Sequence, residues 1–351
     1  MIESFSKRQI IDCLAQEYAI QTTELTFLPL GADKAASVYK AQTQGKHSYF
    51  VKLRRGLQPP INARLLTLLH EAGIQQIIPP LKSIHDQHTH RIDGFTLIVY
   101  PFIEGQNGFS SPLKDHQWIV LGKTLRQVHD FQVPEPVLNE IRRENYTTKW
   151  RTAVKILYEQ MQMNTVEDEL HQKLINFLKA QKNSILHLVD RAEQLCQRIQ
   201  KISPQYVLCH SDIHGGNVLL ESDNHIYIVD WDDPIMAPKE RDLMFIGGGI
   251  ANIWNNPHEE ALFYQGYGKT NIDKTLLAYY RHERIVEDIA IFTNELLKPT
   301  SAKDRLEMYQ PLFCHFSGVQ SKRDPLPHPI NGILDAQTEY SRNLGSDQFT
   351  E

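Results

Sequence analysis

Polar and apolar residues alternate over His47-Ser48-Tyr49-Phe50-Val51-Lys52-Leu53, the period of a half-buried β-strand. Phe95-Thr96-Leu97-Ile98-Val99-Tyr100 is more continuously apolar, reads as a strand, and ends at Pro101 and Gly105. Between Thr26 and Lys40 the pattern is strand, tight small-residue loop, strand, and Ile61 to Gly73 reads as a helix. Farther on, the period becomes helical. Trp118, Leu121, Gly122, Leu125, Val128 and His129 recur on one face, as do Leu174, Phe177, Leu178, Ile185, Leu188, Val189, Ala192, Leu195 and Ile199. Both stripes predict core, and His129 is expected to be a satisfied core histidine. Short strand-like runs, Val207-Leu208-Cys209 and Ile226-Tyr227-Ile228-Val229, are followed by a last long helix over 274–297.

The two short runs frame the densest chemistry in the chain, His210-Ser211-Asp212-Ile213-His214-Gly215-Gly216-Asn217 and then Asp230-Trp231-Asp232. An aspartate, an asparagine five residues on, and a second aspartate closing an apolar strand form the layout of a kinase catalytic centre. Phosphoryl transfer needs positioning, a metal and a carboxylate that accepts the attacking hydroxyl's proton. Asp212 is the candidate base, and Asn217 and Asp230 are candidate magnesium ligands. The same segment also offers His210, Asp212 and His214 as zinc ligands. That reading leaves Asn217 and Asp230 idle, whereas the kinase reading employs both.

A kinase centre calls for an upstream nucleotide site, and the order of elements supplies one. Backbone N–H groups in the loop that holds Gly31 and Asp33 are placed to cover phosphates, although that loop lacks the full glycine pattern of protein kinases. Lys52, on the next strand, is the candidate phosphate-pairing lysine. Its acidic partner is expected on the following helix, yet that position is Asn62, and Glu71 lies at the far end. Tyr100, Pro101, Phe102 and Ile103 form a candidate hinge, with the Pro101 carbonyl and the Ile103 N–H free for a purine edge. A buried strand followed by a turn is the simpler alternative there.

The 351 residues, 41% hydrophobic and 23% charged, suit a globular chain with a large core. Four cysteines without metal or disulfide spacing, no signal-like N-terminus and no long apolar run predict a cytoplasmic protein with free thiols. A net charge of −5 with dispersed basic residues argues against nucleic acid. Asp212, Asp230, Asp232 and Asp233 would make a cleft that attracts small cations, and Asp232 is read as a substrate contact. Asp242 reads as a hydrogen-bonding residue at a helix start, and Gly247-Gly248-Gly249 as a loop. On the last helix, Glu283 and Glu287 share a face, where they meet either a bound cationic substrate or solvent and Arg284. The tail from Gln320, with Pro325, Pro327 and Pro329, is expected to pack loosely.

The residues 210–217 and 228–232 resemble the signature of the aminoglycoside phosphotransferase and choline kinase superfamily, and residues 208–219, 239–249 and 279–289 resemble its spectinomycin phosphotransferases. The likeness runs to about residue 297. It implies an α+β, bilobal, protein-kinase-like fold, with a small antiparallel-sheet lobe over 1–103 and a larger, mostly helical lobe over 104–351. It further implies ATP and Mg2+ as cofactors, Asp212 as base, Asn217 and Asp230 on the metal, and Lys52 on the phosphates. Adenine then meets residues 101–103, and the acceptor is a hydroxyl of a cationic ring such as spectinomycin. Asn62 departs from the family's glutamate. A metabolite kinase for choline, homoserine or a fructosamine would share these residues, and a nucleotide-binding pseudokinase is the non-enzyme alternative.

Overall fold

The computed structural model describes residues 7–29, 36–45, 47–56, 61–161, 169–222, 225–248 and 254–297. Its backbone divides into two compact units, the first comprising residues 1–142 and 210–236, the second 143–209 and 237–351. Residue 103, where the sequence places a hinge, lies inside the first of these units. The expected loose tail lies outside the described residues.

In the first unit, helix α1 (Lys7–Tyr18) precedes β1 (Thr22–Leu28), β2 (Ala36–Thr43) and β3 (Ser48–Arg55). Helix α2 (Ile61–Glu71), β4 (His90–Ile92), β5 (Phe95–Pro101), β6 (Gln106–Asn107), α3 (Asp115–Asp130) and α4 (Glu135–Leu138) follow. Five strands make an antiparallel sheet in the order β1-β2-β3-β5-β4. Strand alternation sorts its side chains. Leu25, Tyr39, Ala41, Val51, Leu53, Leu97 and Val99 pack with Ile10 and Leu14 of α1, each fully buried side chain of this kind contributing roughly 1.5–3 kcal/mol. Lys52 pairs with Val38 and Ile98, and Phe50 with Lys40 and Tyr100, so the opposite face carries the chemistry.

Three short strands, β7 (Arg142–Arg143), β8 (Val207–Cys209) and β11 (Ile235–Ala237), mark where the chain passes from one unit to the other. Between the last two, β9 (Val218–Leu220) and β10 (Ile226–Ile228) form a second small sheet with β6. The Ile228 N–H donates to the Gln76 carbonyl, fastening this sheet to the segment after α2.

The second unit is helical, with α5 (Lys149–Gln160), α6 (Glu169–Ala180), α7 (Lys182–Ile199), α8 (Glu240–Leu243), α9 (Pro257–Tyr267) and α10 (Lys274–Leu297). Val154, Leu157, Tyr158, Leu178, Ile185, Leu188, Val189, Val286 and Ile289 join α5, α6, α7 and α10 in one core, as the helical stripe predicts. No helix among the described residues is long and apolar enough to cross a membrane. Cys13, Cys196 and Cys209 are free and buried.

Candidate active site

The 210–217 segment leaves β8 and turns at Ser211, a non-glycine residue at φ 75°. The Ser211 hydroxyl donates to the Asp233 carbonyl at 2.9 Å, holding that left-handed conformation. His210 Nδ1 accepts the Asp212 N–H at 3.2 Å, which leaves Nε2 to carry the proton and donate to the Val229 carbonyl at 2.9 Å. The His210 ring also sits edge-on to Trp231, 4.7 Å between centroids. Both nitrogens are therefore spent on shaping the loop, and His210 has no lone pair for zinc. His214 Nδ1 likewise accepts from the Gly216 N–H, and its Nε2 lies 3.4 Å from the Asp212 carboxylate. The histidines position the aspartate.

Asn217 is buried, and its amide nitrogen donates to the Asp212 carbonyl at 2.9 Å. The amide oxygen is thus the atom left to face a cation. The Val229 N–H donates to the Asn217 carbonyl at 2.9 Å, so the two proposed metal-bearing segments are tied together one residue before Asp230. Asp230 itself turns at φ 62°, and half of its side chain is open to solvent. Hard oxygen donors from an amide and an accessible carboxylate suit Mg2+, which takes few protein ligands and keeps waters. The residues fit the ion.

Lys52 is where the structure departs from the sequence reading. Its ammonium meets both oxygens of Asp232, at 2.7 and 2.6 Å, and Asp230 at 3.2 Å. Burial by itself would lower the Lys52 pKa, but the two carboxylates more than offset it and the pKa is raised. Asp232, expected to contact substrate, is instead this lysine's principal partner and also takes Arg54 at 3.4 Å. Asn62 explains the absent helix glutamate, since its amide nitrogen donates to the Asp232 carbonyl at 2.6 Å and steadies the aspartate that replaces it. Glu71 is exposed at the end of α2.

Beyond Lys52, the same face of the sheet carries Val38, Phe50, Ile98 and Tyr100. Burial, and then Asp232 and Asp230, push the Tyr100 phenol up, so it stays a neutral apolar wall. The Phe102 N–H donates to the Ser48 carbonyl at 3.0 Å, anchoring the start of the candidate hinge. Pro101 is exposed, and Phe102 and Ile103 are half-buried, with the Lys40 ammonium 4.2 Å over the Phe102 ring and ion-paired to Glu104. Gly31 and Asp33 lie outside the described residues.

Two further contacts were not legible in the sequence. Phe109 stacks flat on His214 at 5.2 Å, and a Cβ on Gly215 would come within 2.7 Å of the Phe109 ring. Only glycine admits that approach. In the second unit, Glu283 is buried rather than solvated. Its side chain is 7% exposed and lies 3.4 Å from Arg151, because its turn of α10 packs against α5 and α7 rather than facing outward. Glu287 is half-buried one turn later.

The sequence pattern of the phosphotransferase enzyme family matches residues 26–275. The chain belongs to that family. Its fold is kinase-like, and the protein is a phosphotransferase acting on hydroxyl groups. A crystal structure of the spectinomycin phosphotransferase APH(9)-Ia in complex with ADP and spectinomycin is similar at 41% identity, covering 95% of this chain and 99% of that one with a TM-score of 0.84. Protein StrN of Streptomyces griseus is 23% identical over 237 residues, 62% of this chain and 67% of StrN. An uncharacterized protein of Metamycoplasma hominis is 25% identical over 189 residues, 53% of this chain, which spans only 31% of that protein's length.

Proposed function

We propose that this phosphotransferase moves the γ-phosphoryl group of ATP to a hydroxyl of a cationic aminocyclitol, spectinomycin first among them, and thereby inactivates the antibiotic. The observation that carries this reading is the 41% identity, along nearly the whole chain, to an enzyme named for spectinomycin and solved with it. The arrangement at 210–232 supports the chemistry. Asp212, partly exposed and oriented by His214, accepts the acceptor's hydroxyl proton. Asn217 and Asp230 hold Mg2+, which when bound screens the phosphate charge. Lys52 pairs with the phosphates, the loop of Gly31 and Asp33 covers them, and adenine lies on the Tyr100 face against residues 101–103. In this reading residues 1–103 serve the nucleotide and the remainder supplies catalysis and acceptor recognition, in the cytoplasm.

Purified protein with Mg·ATP should phosphorylate spectinomycin with kcat/KM at least ~10-fold above kanamycin, choline or homoserine, about 1.4 kcal/mol of differential transition-state binding. Asp212→Asn should lower kcat by about 10²–10⁴ while ATP still binds. Turnover of choline or homoserine with spectinomycin untouched would make this a metabolite kinase. Undiminished turnover by Asp212→Asn would remove that residue from the mechanism.

A further inference from the structure

Gly215 and Gly216 follow His214 in the catalytic segment, and neither has the left-handed backbone that makes glycine necessary. What both positions require is room. A Cβ on Gly215 would lie 2.7 Å from Cδ1 of Phe109, and one on Gly216 would lie 2.9 Å from Cε2 of the same ring and 2.8 Å from His214 Cε1. Two consecutive residues thus go without side chains beneath a single phenyl ring, which lies flat on the His214 imidazole, with 5.2 Å between centroids and 8° between planes. All of these residues belong to the first unit. Phe109 is brought there by its own loop. Strand β6 pairs with β9 through Asn107 and Leu219, and the Gly108 N–H donates to the carbonyls of Gly215 and Val218 at 2.8 and 2.9 Å. Asn107 Oδ1 then closes the turn, accepting the N–H groups of Phe109 and Ser110 at 3.0 and 2.9 Å. The ring is only half-buried, so it gains part of the transfer energy of a core phenylalanine.

The stack decides where one hydrogen points. His214 Nδ1 accepts the Gly216 N–H at 3.0 Å, which leaves the ring proton on Nε2, 3.4 Å from Asp212 Oδ2. With Nδ1 tied at one edge and Phe109 covering one face, the imidazole is kept from turning about its Cβ–Cγ bond, and the Nε2–H stays aimed at the carboxylate. The Asp212 main chain is fixed separately. Its N–H donates to His210 Nδ1 at 3.2 Å, and its carbonyl accepts from the His214 N–H at 3.1 Å and the Asn217 amide at 2.9 Å. Those bonds hold the backbone and not the rotation of the carboxylate, whose side chain is 42% exposed.

We propose that Phe109 is a positioning residue for phosphoryl transfer: stacked on His214, it keeps the Nε2–H on Asp212 and so sets the direction in which the carboxylate receives the acceptor's proton. The proposal rests on the reading above that Asp212 is the base. In the step it serves, the acceptor O–H bond breaks and its proton goes to Asp212. The freed oxygen bonds to the γ-phosphorus as the bond to the β,γ-bridging oxygen breaks, leaving ADP. His214 keeps its own proton throughout. Phe109 touches none of the reacting atoms and acts through the imidazole, and the glycines at 215 and 216 make room for it. A general base misdirected by a fraction of its hydrogen-bond geometry loses rate without losing substrate affinity.

Steady-state kinetics of the full chain with Mg·ATP and spectinomycin test this. Phe109→Leu keeps apolar bulk without a flat face, and should lower kcat about five- to tenfold with both KM values changed less than about twofold. Phe109→Tyr keeps the ring and should stay within about twofold of the parent kcat. His214→Asn still accepts the Gly216 N–H but has no group at the Nε2 position, and should lower kcat about tenfold or more. Adding Phe109→Leu to His214→Asn should then cost less than about twofold, since the ring acts through the imidazole. An unchanged kcat in folded Phe109→Leu overturns the proposal. So does an undiminished loss in the His214→Asn background, which would make Phe109 a packing residue alone. If Phe109→Leu does not fold, Phe109→Met takes its place in the same cycle. Asp212→Asn measured alongside separates the two readings: full turnover there removes the base itself, whereas its expected loss beside an unaffected Phe109→Leu removes only the role of the stack. If another alcohol reacts in place of spectinomycin, the same variants are judged on that acceptor.

Discussion

Replacing Asp232 with Asn tests whether the chain has moved the counter-ion of Lys52, the proposed phosphate lysine, from a helix to the strand-end aspartate. In the structure Lys52, with a side chain 16% exposed, spends its two shortest hydrogen bonds on Asp232. A hydrogen bond between charged groups contributes about 1.5–3 kcal/mol. Asp232 is about one-third exposed, so solvent screening places the loss toward the lower end, and Asp230 at 3.2 Å remains to keep Lys52 from being stranded. The expected cost is therefore about 1.5–2 kcal/mol, below the ~3–5 kcal/mol of a buried pair broken outright. The Asn62 bond should survive, because it goes to the Asp232 main chain. If the same energy positions the lysine on the phosphates, kcat/KM for ATP falls about 10- to 30-fold. Steady-state kinetics with ATP varied, adenosine binding as the control and a urea unfolding curve measure each part. An unchanged unfolding midpoint with unchanged kcat/KM would refute the argument. A rise in kcat/KM would show instead that Asp232 competes with the phosphates for Lys52.

Two further outcomes follow from packing and burial. Gly215→Ala should cost about 1–3 kcal/mol and lower kcat, since the new methyl would press on the Phe109 ring and on Gly108; an unshifted urea midpoint with full activity would mean that the ring yields freely. For Glu283, the folded pKa of about 7 lies above the ordinary 4.5, so the folded state holds the proton more tightly. The stability this provides is complete below pH 4.5 and is lost as pH rises to about 7, by no more than roughly 3 kcal/mol. Urea midpoints of the parent and of Glu283→Gln should thus diverge between pH 5 and 8 in favour of the variant, and parallel curves would contradict the burial of an ionisable carboxyl there.

Local sequence carried more of the catalytic segment than of anything else. Asp212, Asn217 and Asp230 are spaced by a loop and a two-stranded hairpin, and such short-range geometry is dictated by strand alternation and turn chemistry, so their placement on one short segment was readable before any tertiary contact was known. Strands β1, β2, β3 with its lysine, and β5, and the helical stripes of α3 and of α6 and α7, were legible for the same reason, whereas the three-residue β4 was not. What the periodicity could not decide was which charges meet. Lys52 and Asp232 are 180 residues apart, and nothing along the chain says that an aspartate two positions past Asp230 substitutes for a missing glutamate on α2. Arg54, one strand period beyond Lys52 and on the same face, was the only local hint of a strong acidic partner. Phe109 on His214 likewise depends on a loop more than a hundred residues upstream. Glu283 shows the limit most plainly: the pattern of α10 marks Glu283 and Glu287 as sharing one side of a helix, but whether that side meets water, a ligand or a buried arginine depends on how α5 and α7 pack against it, and burial of a charge is a property of the packed structure alone.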